Sequence, residues 1–111
     1  MTVAFELEGQ KYLALNGGPM FKFNEAISLM VYCKDQEEID YYWDKLTADG
    51  GQESQCGWLK DKFGLSWQIT PAKIEEFLSG SDKEGQKRYM AALMKMKKLN
   101  IKELEDAYNG K

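Results

Sequence analysis

The chain has 111 residues, 43% of them hydrophobic and 30% charged, with a net charge of −3. That length supports one domain with a modest core, and the acidic balance gives no electrostatic footprint for nucleic acid or for an anionic membrane. No apolar run reaches the length of a membrane span and no basic-then-apolar leader opens the chain, so the sequence points to the cytoplasm.

The first segment, "TVAFELEGQKYLALN", predicts a β-hairpin. Val3, Phe5 and Leu7 alternate with Ala4, Glu6 and Glu8, Gly9-Gln10 supplies the turn, and Lys11 to Asn16 form the returning strand. "NGGP" at Asn16 to Pro19 breaks the pattern as a turn. "EAISLMVYC" is nearly all apolar and predicts a strand covered on both faces, with Ile27, Leu29, Val31 and Cys33 on one side and Ser28, Met30 and Tyr32 on the other. Asp35 with Glu38 forms a capping box, and Ile39, Tyr42, Trp43 and Leu46 give the stripe of an amphipathic helix ended by Gly50-Gly51.

Two short strands follow, near Gln52–Gln55 and Cys56–Lys60. A turn at Asp61–Gly64 leads into Leu65–Thr70, where Leu65, Trp67 and Ile69 alternate with Ser66, Gln68 and Thr70. Pro71 suits a first helical position, and Ile74, Phe77 and Leu78 form a short helical stripe. Ser81 with Glu84 and Asn100 with Glu103 are further capping boxes. The first opens a helix expected to bury Met90, Leu93, Met94 and the stem of Lys97; the second opens one with Ile101, Leu104 and Tyr108.

There is no histidine. This removes the commonest general base and transition-metal ligand, and with them any serine or cysteine nucleophile activated by a histidine of this chain. Cys33 and Cys56 have no metal-like spacing and read as free thiols. Trp43, Trp58 and Trp67 read as core packing before they read as an aromatic clamp, with Trp58, beside a turn, the best exception. The methionines and lysines between Met90 and Lys98 read as a docked amphipathic helix rather than a membrane-surface or RNA-binding one.

The order from Glu25 to Thr70, with "DKFG" before the last strand, resembles the βαβββ unit of the vicinal oxygen chelate superfamily, the glyoxalase, bleomycin-resistance and dioxygenase proteins. "ALNGGPMFKFNEAISLMVYC", "YYWDKL" and "CGWLKDKFGLSWQITP" are similar to its PhnB-like branch, described as a demethylubiquinone methyltransferase-like domain; "MKMKKLNIKELEDAY" resembles that branch's C-terminal extension. The resemblance implies an α+β fold in which residues 1–71 form the glyoxalase-like domain, its first module shortened to a hairpin, and residues 72–111 form a helical extension. Members of the superfamily carry two modules, so a chain with one whole module is expected to pair as a homodimer, to be a truncated product, or to start at an internal methionine. The methyltransferase description finds no Gly-rich strand-to-helix turn with a following acidic residue to support it.

The resemblance also implies where a site would lie. In metal-dependent members the second module gives a histidine from its first strand and a glutamate from its last; here those positions carry Ser28 and Gln68. The first module's closing strand should offer a glutamate, where "YLALN" offers Ala14 or Asn16. A neutral hydroxyl and amide are poor ligands for a divalent cation, so the expectation is a cup with no metal and no other cofactor. Ser28, Met30, Tyr32, Ser66, Gln68, Thr70, Asn16 and Trp58 are the candidate cup residues, with Phe21 and Phe23 at its rim. Such a lining suits a small amphipathic molecule; solvent or a packed partner on the same face is the plainer reading. The functions in competition are a ligand-binding protein, a glyoxalase- or dioxygenase-type metalloenzyme with atypical ligands, and a degenerate interaction module.

Overall fold

The computed structural model describes residues 1–111. Strands β1 (Thr2–Leu7) and β2 (Gln10–Leu15) form an isolated antiparallel hairpin. Its turn is Glu8-Gly9 rather than the expected Gly9-Gln10: both residues have positive φ, 48° and 82°, the type I′ geometry that matches strand twist. The segment after Asn16-Gly17-Gly18-Pro19 runs as an exposed loop into a strand, not into a helix.

The body is a βαβββ unit: β3 (Ser28–Cys33), α1 (Gln36–Thr47), β4 (Gln52–Glu53), β5 (Trp58–Lys60) and β6 (Ser66–Pro71). The sheet order is β3-β6-β5-β4, with β3 and β6 parallel and the other pairs antiparallel. Asp35 caps α1 by accepting from the Glu38 amide at 2.9 Å. The Glu38 carboxylate reaches back to the Lys34 amide, one residue before the N-cap. Ile39 and Trp43 of α1 pack on Cys33, Leu59 and Ile69, with Val31, Tyr42, Leu46 and Trp67 around them. The helix therefore covers one face of the sheet, and the odd-numbered residues of β3 and β6 point into that core. Coverage is not equal along β3: Leu29 and Met30 are both exposed, because β3 is an edge strand and nothing packs beyond it.

Asp61 fixes the turn before β6. Its carboxylate accepts from the amides of Phe63 and Leu65 and from Trp67 Nε1, the last at 2.9 Å. Trp43 Nε1 likewise donates to Glu53 at 2.7 Å. Two of the three indoles are thus core groups with satisfied N–H donors.

Three helices follow: α2 (Ile74–Ser79), α3 (Lys83–Leu93) and α4 (Ile101–Tyr108). Pro71 is not a first helical residue; it closes β6 opposite Cys33. The cap of α3 is Asp82, not Ser81, accepting from Gly85 N at 2.9 Å. This moves the buried stripe to Gly85, Tyr89 and Leu93, and leaves Met90 and Met94 exposed. Asn100 caps α4 through the Glu103 amide as expected. Tyr89, Leu93, Leu99 and Leu104 form a second core cluster.

The helices dock directly on the sheet unit. Gln36 donates to the Leu99 carbonyl and accepts from the Ile101 amide, and the Cys56 and Gly57 amides donate to the Met96 and Lys97 carbonyls. Gly57 sits at φ 84°, and a Cβ there would lie 3.0 Å from Leu99 Cδ1 and 3.1 Å from the Ile69 carbonyl oxygen. The position needs glycine both for its backbone and for this approach.

Candidate functional site

With α1 on one face of the sheet, the other face is built from the even-numbered residues of β3, β5 and β6. The register sets them in rows: Lys60–Ser66–Ser28, Trp58–Gln68–Met30, and Thr70–Tyr32. Each strand contributes by simple alternation.

The two positions singled out from sequence meet. Gln68 Nε2 donates to Ser28 Oγ at 2.9 Å. The amide oxygen of Gln68 accepts nothing from the protein and remains open to a donor. Met30 and Tyr32 are about half exposed beside it. Tyr32 Oη lies 3.7 Å from Met30 Sδ and 3.5 Å from Glu75 Oε1, both at the long end of hydrogen-bond geometry.

Ser66 is 1% exposed and its Oγ has no hydrogen-bond partner, an orphan that costs free energy unless something meets it. It borders a cleft of about 180 Å³ that Glu25, Glu53, Trp58 and Lys60 also line. Glu25 and Lys60 form an ion pair across the edge of this face, and the Lys60 ammonium holds the Glu25 carboxyl below its usual value. Thr70 is also buried, while Asn16 stands apart on the hairpin, where its amide donates to the Met1 carbonyl and closes the ladder. Phe21 and Phe23 are exposed on the loop. The site therefore gathers Ser28, Met30, Tyr32, Gln68 and Trp58 on one open surface, with Ser66 and Thr70 beneath it.

A divalent metal centre is what the superfamily resemblance implies at Ser28 and Gln68, and the residues do not fit it. One is a hydroxyl already bonded to the other's amide. The carboxylate at the edge of this face, Glu25, is held by Lys60. No three His, Cys, Asp or Glu side chains converge anywhere in the chain. Hard divalent cations require several anionic or strongly polar oxygens in one place.

The fold and this face define a single βαβββ unit of the glyoxalase-like kind, with a polar-apolar open face. A family profile for 3-demethylubiquinone-9 3-methyltransferase matches residues 1–70, and the chain belongs to that family. A solved structure of a PhnB protein from Bacillus cereus, provisionally named a 3-demethylubiquinone-9 3-methyltransferase, is similar at 34% identity and a TM-score of 0.55. The match covers 65% of this chain and 64% of that one. No curated protein matches.

Sequence reasoning missed Lys60 and Glu25. Lys60 was visible in principle, since Trp58, Leu59 and Lys60 alternate just as β6 does. Glu25 lies in a loop before β3 and had no periodicity to reveal it. No helix of the chain is long and apolar enough to cross a membrane.

Proposed function

We propose that this chain is a small-molecule-binding protein that uses the open face of its sheet without a conventional metal site, and that it works as a homodimer. The observation that carries the reading is the Gln68–Ser28 hydrogen bond. It turns two positions where the superfamily pattern would place metal ligands into a neutral pair that offers one free carbonyl acceptor. Met30, Tyr32 and Trp58 beside it supply apolar area, the mixture that small-molecule sites use.

The pairing supports itself on exposed surface. Val3, Phe5, Leu7, Leu13 and Leu15 of the hairpin, and Leu29, Met30 and Tyr32 of β3, are all exposed. A second copy related by a two-fold axis covers such self-matching surface on both partners at once. The cup is then walled by two chains rather than one. The methyl transfer in the family's description finds no Gly-rich strand-to-helix turn here to support it, since an exposed loop follows Gly17-Gly18.

Elemental analysis of the purified protein tests the reading against its metalloenzyme rival. We expect divalent metal well below one ion per chain, before and after incubation with manganese or zinc. Stoichiometric metal retained after dialysis and lost in a Gln68→Leu variant contradicts it.

A further inference from the structure

A second cavity, of about 360 Å³, lies away from the open sheet face, where the C-terminal helices meet the sheet. Its volume falls within the range of ligand pockets, roughly 300–1,000 Å³. It opens at the carboxyl ends of the parallel pair β3–β6, beside Cys33 and Pro71, which stand opposite each other as the last residues of their strands. Parallel strands leave crevices at such ends, and ligands use them.

The floor is aromatic and aliphatic: Phe77, Tyr89 and Ile101 line it, with the Phe77 and Tyr89 rings stacked at 5.1 Å. The rim is charge-balanced, Lys34, Lys73 and Lys102 against Asp35, Glu105 and Asp106. A net-charged guest gains nothing from such a rim and loses its hydration.

Tyr89 supplies the specific signal. The residue is 1% exposed and lines this cavity; its hydroxyl makes no hydrogen bond within the protein and, unlike the Ser66 hydroxyl, is not sealed from solvent. A tyrosine hydroxyl in a largely buried residue takes its partner from whatever space it still touches, here the cavity. Burial and, less strongly, the Glu105 carboxylate push its phenol up to about 12, so the group is a neutral donor at any ordinary pH.

We propose that this cavity binds a small uncharged aromatic molecule bearing a hydroxyl, its ring among Phe77, Tyr89 and Ile101 and its oxygen accepting from Tyr89 Oη. Glu105, which also lines the cavity and whose charge is felt at Tyr89, then accepts a hydrogen bond from the guest's own hydroxyl. This site stands apart from the open sheet face and does not depend on what that face binds.

The probe is 2-naphthol, titrated into the full chain and followed by amide chemical shifts. Saturable shifts are expected around residues 33–36, 71–73 and 101–106. Tyr89→Phe keeps the ring and weakens binding about three- to tenfold, the loss of one hydrogen bond. Because the removed hydroxyl had no partner in the protein, the urea midpoint of this variant holds or rises. Ala72→Trp, at an exposed position on the cavity wall, blocks entry and abolishes the shifts. The proposal is overturned by shifts confined to the hairpin or to β3 and β6 residues of the open face, by equal affinity in both variants, or by no saturable binding. A fall in the urea midpoint of Tyr89→Phe also overturns it, since the hydroxyl would then be satisfied within the fold.

Discussion

The hairpin and the body of this protein are built from the same kinds of residue and differ in what those residues touch. In the body, Ile39, Leu59, Ile69, Leu99 and Leu104 are essentially inaccessible to solvent. In the hairpin, every residue from Thr2 to Leu15 is exposed, and apolar side chains stand on both faces: Val3, Phe5, Leu7 and Tyr12 on one, Leu13 and Leu15 on the other. The Phe5–Tyr12 stack, at 5.4 Å, is a cross-strand contact between exposed rings. Two strands alone are marginal in water, so this ribbon draws its stability from whatever lies against it. The shape records the same division. The radius of gyration is 16.7 Å along a 54 Å long axis, against about 13 Å for a compact chain of this length.

The lesson is that apolar alternation marks surface needing cover without saying whether the cover is in the same chain. It can be pressed experimentally in decreasing order of effect. Ile69→Ala removes a side chain with 0% exposure and is expected to cost about 2–5 kcal/mol in urea unfolding. Val3→Ala, a similar truncation in the hairpin, is expected to leave the unfolding of the body within about 0.5 kcal/mol at concentrations where the chain is monomeric. If the two costs were equal, the hairpin would be folded into the same core and the contrast would vanish.

Gly57→Ala sharpens the boundary between sheet and helices. It places a Cβ in a left-handed position and against Leu99. The expected cost is about 2 kcal/mol or more, with amide exchange rising in α4 as well as β5. Loss of the Asn100 cap by Asn100→Ala is expected to cost about 1 kcal/mol, read from thermal or urea unfolding.

The smallest effect at neutral pH is an alkaline one. Burial, helped by Glu38 and Asp35, pushes the Cys33 thiol up to about 11 from 9, and burial pushes Tyr89 to about 12 from 10. Both groups are neutral in the fold and ionise more easily once unfolded. Their stabilising contribution is complete below pH 9 and 10 respectively, and is lost as pH rises through 11 and 12. Urea midpoints should therefore fall above pH 9, and Cys33→Ser should flatten the first part of that fall.

Much of this is legible in the amino-acid sequence. The order from β3 to β6 and the Asp35 and Asn100 caps followed from alternation and cap chemistry, because these signals are local; Ser28 and Gln68 were marked by the family resemblance, and the hydrogen bond between them joins two strands and is a long-range fact. On α3 the expected Leu93 is buried, but Tyr89 and Gly85 take the places expected for Met90 and Met94, and Lys97 is exposed. Ser81 and Asp82 are both competent caps, and only packing of Tyr89 against Phe77 and Leu104 decides between them. Pro71 fits a strand end as well as a helix start, and its pairing with Cys33 is a long-range fact. The cavity at Tyr89 was invisible for the same reason: its walls come from β3, β6 and all three C-terminal helices.

Sedimentation equilibrium of the full chain tests the central claim most directly, that the hairpin and the open sheet face are completed by a second copy. The chain mass is 12.8 kDa. The account predicts a species of twice that mass at micromolar concentration, shifted toward monomer by replacing Phe5 and Leu13 with aspartate. A monomer that stays folded, with its hairpin amides protected from exchange, would contradict it.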